Sequence, residues 1–464
     1  MLAAEQVLTA AEMRAAEQVL IDTGVSIGAL MQRAGRGAAE WVRRIAMGRP
    51  VTVLCGPGNN GGDGYVIAET LRAGGLAVTV IAPLEPATDA ARHAKAAWQG
   101  GVATAPGRQR GGVFVDCLFG SGLSRPLSSE HEALLGDLAA RHEFTVAVDL
   151  PSGVSTDDGA LLGAVRCDLT LALGAWKRAH FLMPAMALMG ERQCVGIGIG
   201  PVDGAAFVYP RPRLSPPARD DHKYTRGLAG IVAGAMPGAA FLAAQAAMRG
   251  GAWYVKLLSP DEYPTAPAAL VVDRSPLHEA LADTRWSALL VGPGLGRDDE
   301  ARARLQAVLE RGLPAVIDAD ALHLLDDDMI EGLATSRLLV TPHAGEQAVL
   351  AKTCGIVPTS KVERAAALAE TTGMTVLAKG PDTILAAPDG RVAFFPAASP
   401  WLSTAGTGDV LAGIAVSRLA CHDDPFAAAG EAAWIHAEAA QVAGAALTAD
   451  DLSTAVSAAY TRFL

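Results

Sequence analysis

Short apolar runs recur along the whole chain, and stretches of helical periodicity separate them. A run that is apolar at every position needs cover on both faces, which a parallel sheet between layers of helices supplies. In the first half, strands are expected at 51–55, 76–81, 113–117, 144–149 and 168–173. A helical region over 9–47 precedes them and begins as Ala-Ala-Glu-Met-Arg directly after Thr9, a residue type suited to cap a helix. A second series begins near Leu228, with strands expected at 228–233, 252–258, 287–291, 315–318, 337–341 and 374–378, and helices from about Asp409 onward. Between the two series, Tyr209-Pro-Arg-Pro-Arg-Leu-Ser-Pro-Pro-Ala fits neither period and marks the expected boundary, dividing the chain into 1–213 and 214–464. A length of 464 residues agrees with two or three separate cores.

The formal net charge of -11 leaves no basic excess to displace counterions, so no nucleic-acid partner is expected. Any phosphate must instead be held by backbone amides and helix ends. The first twenty residues carry Glu5, Glu12, Arg14 and Glu17 without the apolar core of a secretory signal. Pro184 and Gly190 interrupt the best apolar stretch, so no membrane partner is expected either. Six cysteines occur without a Cys-x-x-Cys pair, several inside apolar runs, which points to free thiols and a cytoplasmic location.

Three polar loops follow strands of the first half. The strand ending at Cys55 leads into Gly56-Pro-Gly-Asn-Asn-Gly-Gly-Asp-Gly64, and a helix follows at once. Asp116 lies near the end of the third strand, before Gly120-Ser-Gly-Leu-Ser-Arg-Pro126, and Asp149 ends the fourth, before Leu-Pro-Ser152. A glycine-rich turn alone explains the first loop about half the time, but it does not require two asparagines and an aspartate. In a doubly wound sheet the three loops converge beyond the strands' carboxyl ends.

From about Leu8 to Pro201 these segments resemble the NAD(P)H-hydrate epimerase family, a Rossmann-like three-layer α/β fold. The resemblance implies contacts to a hydrated dinucleotide from Asn59, Asn60, Gly61, Gly62 and Asp63, and from Asp149. It also implies them from Gly120, Ser121, Gly122, Leu123, Ser124, Arg125 and Pro126. A potassium ion held by Asn60, Asp116 and Ser152 is implied as well, and such oxygen donors suit a hard cation. Inverting the hydroxyl-bearing ring carbon requires proton movement, for which Asp149 is the candidate acid–base group.

In the second half, polar groups again follow strands or open helices: Leu290-Val-Gly-Pro-Gly294, Val316-Ile-Asp-Ala-Asp320, Thr341-Pro-His343-Ala-Gly-Glu346, Ala378-Lys379 and Thr404-Ala-Gly-Thr-Gly-Asp409. Gly406 to Gly408 can cradle an anion at the start of a helix beginning near Asp409. Asp409 then stands where it can accept a proton from a hydroxyl that attacks a phosphoryl group. Taken singly, His343 reads as a helix-capping histidine and Lys379 as a solvated charge.

Together, from about Lys223 onward, the motifs resemble the NAD(P)H-hydrate dehydratase branch of the ribokinase-like superfamily, giving a second, ribokinase-like α/β domain. The resemblance implies substrate contacts at Ala233, Gly294, His343 and Asp409, and nucleotide contacts at Lys379, Gly380, Pro381, Asp382, Thr383 and Gly408. Ala344, His323 and Trp401 replace the family's usual proline, asparagine and glycine, and the loop after Ala233 is short for the branch.

The expected activity is therefore epimerisation of hydrated NADH or NADPH, then dehydration of one epimer with ADP or ATP as cosubstrate. ADP is favoured, and magnesium is expected to bridge the phosphates. A homo-oligomer is expected. The rival reading is a small-molecule kinase of the ribokinase-like superfamily, fused to a Rossmann-like module that binds without catalysing.

Overall fold

The computed structural model describes residues 5–220, 226–357, 360–422 and 424–464. Lys223, where the second resemblance begins, lies outside them. The chain divides into two compact units, Met1–Val208 and Tyr209–Leu464.

In the first unit, β1 (Gln6–Leu8) leads into α1 (Ala10–Asp22) and α2 (Ile27–Ala46). Thr9 caps α1 as expected: its Oγ1 accepts from the Glu12 amide at 3.1 Å, while Glu12 Oε2 accepts from the Thr9 amide at 2.7 Å. There follow β2 (Val51–Cys55), α3 (Asn59–Ala73), β3 (Val78–Ile81), α4 (Asp89–Ala97), β4 (Val102–Ala103) and β5 (Val113–Cys117). Then come α5 (Ser129–Arg141), β6 (Phe144–Val148), β7 (Leu169–Leu173), β8 (Trp176–Lys177), β9 (Glu191–Val195) and β10 (Ala206–Val208).

One parallel sheet runs in the order β4-β3-β2-β5-β6-β7-β9. Its direction of growth reverses between β2 and β5, where a doubly wound sheet opens a ligand crevice. Alternate residues face opposite layers: Val51, Val53, Val113 and Val115 join a core with α2 and α3, whereas Leu54 and Phe114 pack with Leu135 and Leu138 of α5. β1 pairs antiparallel with β10 and parallel with β8. The short strands β1, β4, β8, β9 and β10 were not expected from the sequence, being too brief or too mixed in polarity to carry a period.

In the second unit, the main sheet is built from β11 (Leu228–Val232), β12 (Tyr254–Leu258), β13 (Val271–Asp273), β14 (Trp286–Val291), β15 (Ala315–Ile317), β16 (Leu338–Val340) and β17 (Thr375–Ala378). These run parallel in the order β13-β12-β11-β14-β15-β16-β17, and β18 (Ile384–Ala386) and β19 (Val392–Phe394) extend the sheet antiparallel. The helices are α6 (Pro237–Ala247), α7 (Leu277–Leu281), α8 (Asp299–Leu309), α9 (Asp320–Leu324), α10 (Asp327–Ile330), α11 (Ala344–Thr353) and α12 (Lys361–Thr372). Three more close the chain: α13 (Thr407–Cys421), α14 (Pro425–Ala443) and α15 (Ala449–Thr461). Helix α13 begins two residues earlier than expected, so Gly408 and Asp409 both sit in its first turn.

The proline-rich stretch is fixed to the second unit. Tyr209 donates its amide to Phe394 O at 2.8 Å and accepts from Trp434 Nε1 at 3.2 Å, and its ring stacks on Phe395 at 5.3 Å. Farther along, the Leu214 amide donates to Phe463 O at 2.7 Å. Among the described residues, no helix is long and apolar enough to cross a membrane.

The loop between β2 and α3 depends on the absence of side chains. A Cβ at Gly56 would lie 1.7 Å from the Leu118 carbonyl oxygen, and one at Gly61 would lie 1.9 Å from the Gly56 carbonyl oxygen. Gly56→Ala is expected to destabilise the protein by about 1–3 kcal/mol or more, because backbone rather than a flexible side chain must give way. Urea denaturation of the variant beside the wild type measures this.

Candidate active sites

At the β2–β5 reversal the first unit holds a cavity of about 790 Å³. Asn59, Asn60 and Asp63 from the start of α3, the whole segment Gly120 to Pro126, and Asp149 all line it. Gly61 and Gly62 are buried behind this wall and serve the turn's close packing.

Asp149 follows β6 with φ +69°, an unusual value for a residue with a side chain. Several partners hold it there. Lys177 Nζ donates to Asp149 Oδ1 at 2.5 Å, and the Ser121 amide donates to Oδ2 at 3.1 Å. His180 Nδ1 accepts from the Lys177 amide at 2.9 Å, which leaves Nε2–H to donate to the Asp149 carbonyl at 2.9 Å. Burial lowers the His180 imidazole to about 4, so the ring is neutral, as this tautomer requires. Burial by itself would raise the Asp149 carboxyl. The Lys177 ammonium outweighs it, and the group sits below the usual carboxylate range.

Lys177 and His180 were not singled out from the sequence, nor were Arg14 and Glu17 of α1, which also line this cavity or, for His180, brace it. The available signal was Trp176-Lys177-Arg178-Ala179-His180, basic residues standing directly after a fully buried strand.

Asp116 and Ser152 are wholly buried below the cavity and bond each other: Ser152 Oγ donates to Asp116 Oδ1 at 2.6 Å and its amide to Oδ2 at 2.8 Å. Burial raises the Asp116 carboxyl, against the pull of these hydrogen bonds. Asn60 stands apart from that pair, beside Gly120, with Oδ1 and Nδ2 both buried and unpartnered among the described residues. An unpartnered amide oxygen, a carboxylate and a hydroxyl are by their chemistry a donor set that suits a potassium ion.

In the second unit, Gly406 precedes α13 with φ +87°, and the first-turn amides of Gly408 and Asp409 lack intrahelical acceptors. Asp409 is half-buried and is pushed up to about 6, first by burial and then by the Asp318 carboxylate, against the Lys379 ammonium. Lys379 Nζ donates to buried Asp318 at 2.6 Å, where Thr341 Oγ1 also donates at 2.7 Å. Lys379 is therefore a paired cation facing the cradle rather than a solvated charge.

A cavity of about 380 Å³ opens beside it, lined by Lys379, Gly380, Pro381, Thr383, Gly408 and Trp434 among others. The Asp382 carboxylate points elsewhere, to Lys361 Nζ at 2.6 Å. Ala233 and Gly294 belong to loops that bond each other, the Met236 amide donating to Gly294 O at 2.8 Å. His343 caps α11: its Nδ1 accepts from the Gly345 and Glu346 amides, at 2.9 and 3.2 Å. Ala233, Gly294 and His343 do not line the 380 Å³ cavity.

A doubly wound parallel unit followed by a second α/β unit, each gathering acid groups at a helix start, defines a two-site α/β enzyme. Residues 229–462 match the NAD(P)H-hydrate dehydratase family, and residues 27–179 match the family described as YjeF-related protein N-terminus. The bifunctional NAD(P)H-hydrate repair enzyme Nnr of Salinibacter ruber is 36% identical over 509 residues, covering 95% of this chain and 92% of that protein. The protein of the same name from Gloeobacter violaceus is 34% identical and covers 93% and 92%. The chain belongs to the family of bifunctional NAD(P)H-hydrate repair enzymes. A solved structure of the ADP/ATP-dependent NAD(P)H-hydrate dehydratase of Bacillus subtilis, crystallised with ATP and Mg2+, is 28% identical. It covers 54% of this chain and 95% of that one, with a TM-score of 0.46.

Lys177→Met strands the buried Asp149 carboxylate without its cation, at an expected cost of about 3–5 kcal/mol near neutral pH. The sign reverses the wild-type linkage. In the wild type the lowered carboxyl stabilises the fold above the ordinary carboxylate range and loses that contribution as pH falls. In the variant the carboxyl is raised, so protonation relieves the penalty. Denaturation curves from neutral to acid pH should therefore converge for the two proteins.

Proposed function

We propose that the chain repairs hydrated NADH and NADPH, the first unit interconverting the two epimers and the second dehydrating one of them. The observation that carries this reading is Asp409, a half-buried carboxyl in the first turn of α13, beside helix-start amides and a paired lysine. Hydroxide is a poor leaving group, and phosphorylation makes it a good one. Asp409 takes the proton of the substrate hydroxyl as its oxygen attacks the terminal phosphoryl group of the nucleotide. The cradle amides and Lys379 bear the negative charge of the transferring group. Electron density from the neighbouring ring nitrogen then expels phosphate and restores the double bond. ADP is the favoured donor.

Magnesium supplies charge neutralisation on the phosphates. Among the described residues no group of three or more His, Cys, Asp and Glu is arranged to hold a metal ion. A magnesium ion carried in on the nucleotide suits such a site. In the first unit potassium would be held by Asn60, Asp116 and Ser152, where it contributes a fixed positive charge under the loop that receives the dinucleotide.

Mixed epimers of hydrated NADPH, incubated with the full chain and ADP or ATP, should regain reduced-nicotinamide absorbance completely. Recovery that stops at one epimer's share removes the epimerase assignment, and no recovery removes the dehydratase.

Asp409→Asn should lower the dehydration rate roughly a hundredfold to ten-thousandfold while nucleotide binding survives, because the cradle is backbone. Near-normal turnover in single-epimer assays removes Asp409 as the base. In the wild type, the dehydration rate should fall below pH about 6 with a single-proton limb, as Asp409 becomes protonated and cannot accept a proton. Asp116→Ala should weaken epimerisation and its response to potassium, with dehydration of the reactive epimer retained, and separate assays of the two steps decide this.

A further inference from the structure

Three acids, Lys177 and the arginines Arg14 and Arg125 line the first cavity, and of these cations only Lys177 bears on Asp63. Glu17 from α1, Asp63 from α3 and Asp149 after β6 all line it, with Lys177 from β8. Lys177 is committed to Asp149, at 2.5 Å. Asp63 is only 8% exposed, and among the described residues its side chain has neither a hydrogen bond nor an ion pair. An ionised carboxylate buried without a partner is costly, whereas a protonated one facing a cavity is tolerable and holds a proton ready to give.

We propose that Asp63 is the general acid of the epimerising site, protonating the departing hydroxyl of the hydrated ring while Asp149 receives the proton of the water that adds to the opposite face. This rests on the reading of the first unit as the epimerase. The hydroxyl-bearing carbon adjoins the ring nitrogen. As Asp63 delivers its proton, the C–O bond breaks, water leaves, and the nitrogen lone pair forms a carbon–nitrogen double bond at a now planar carbon. Water adds to the other face, the electron pair returns to nitrogen, and Asp149 takes the released proton. One proton has moved from Asp63 to Asp149, and exchange with solvent resets the pair.

The surroundings separate the two groups in the direction this requires. Burial raises the Asp63 carboxyl well above the usual range, Asp149 and Glu17 raise it further, and Lys177 opposes them. The Cys117 thiol at the end of β5 also faces it, itself raised chiefly by burial. Asp149, beside Lys177, is held ionised. Glu17 is raised by burial too, but it sits on the more exposed α1.

The test uses the full chain and purified single epimers of hydrated NADPH. Asp63→Asn should lower kcat for epimerisation roughly a hundredfold to ten-thousandfold with little change in KM, and Asp63→Glu should recover part of it. The wild-type kcat should fall on the alkaline side, and that limb should vanish in Asp63→Asn. In oxygen-18 water, the wild type should place one solvent oxygen in the substrate per inversion. Dehydration of the reactive epimer by the same Asp63→Asn preparation checks that the protein is intact. Retention of the original oxygen, an unimpaired Asp63→Asn, or loss of the alkaline limb in Glu17→Gln instead overturns the proposal. A wild-type chain that never interconverts the epimers overturns the epimerase reading itself.

Discussion

Parallel pairing brings the ends of neighbouring strands level, and both sites follow from that. Cys55 pairs with Cys117, Asp116 with Ala147, and Val148 with Leu171, so β2, β5, β6 and β7 release their loops at one edge. In the second unit, Val291 pairs with Ile317 and Ile317 with Val340, with the same result. In these strands, buried on both faces, the acids Asp116, Asp149 and Asp318 sit near or just beyond the carboxyl ends. Polar loops and the unpaired amides of helix starts therefore meet in one place, for reasons of packing before any of chemistry.

Charge gathered at such an edge has to be managed, and the two units manage it alike. In each, a buried aspartate at or just beyond a strand end is matched to a lysine, Asp149 with Lys177 and Asp318 with Lys379. Each pair then leaves a second carboxyl in the first turns of a helix without a cation of its own, Asp63 in one case and Asp409 in the other, and both are raised. The ammonium beside Asp149 holds that carboxyl down, whereas burial without a cation holds Asp63 and Asp409 up. Two acids a short distance apart thus acquire different properties from their neighbours alone.

The strands at 51–55 and 113–117 were legible because a run of buried residues has no polar interruption, and Thr9 was legible because a capping box is local. Asp116 and Asp149 were legible because they lie at the ends of such strands, and Asp63 and Asp409 because they stand among or directly after the glycines that open a helix. Lys177 was not: its role comes from a contact across 28 positions, and nothing in its immediate sequence identifies Asp149 as its partner. His343 shows the converse. Its place in the motif suggested a ligand contact, while its geometry is that of a helix cap, a local role that the same residues encode equally well. Asp382 likewise lies in a segment that borders the second cavity, yet its carboxylate is spent on Lys361.

The strap formed by Tyr209 bears on how such a protein can be divided in evolution or in the laboratory. Its backbone bonds β19 and Trp434, its ring stacks on Phe395, and both Trp434 and Phe395 wall the second cavity. A Cβ at Gly430 would come within 2.0 Å of the Tyr209 ring, so the helix behind it is shaped to this residue. A gene split inside the proline-rich stretch would leave the downstream product with an unsupported cavity wall. Viable fission points therefore lie upstream of Tyr209, and a free-standing descendant of the second unit would begin with what looks, in sequence, like a leftover linker.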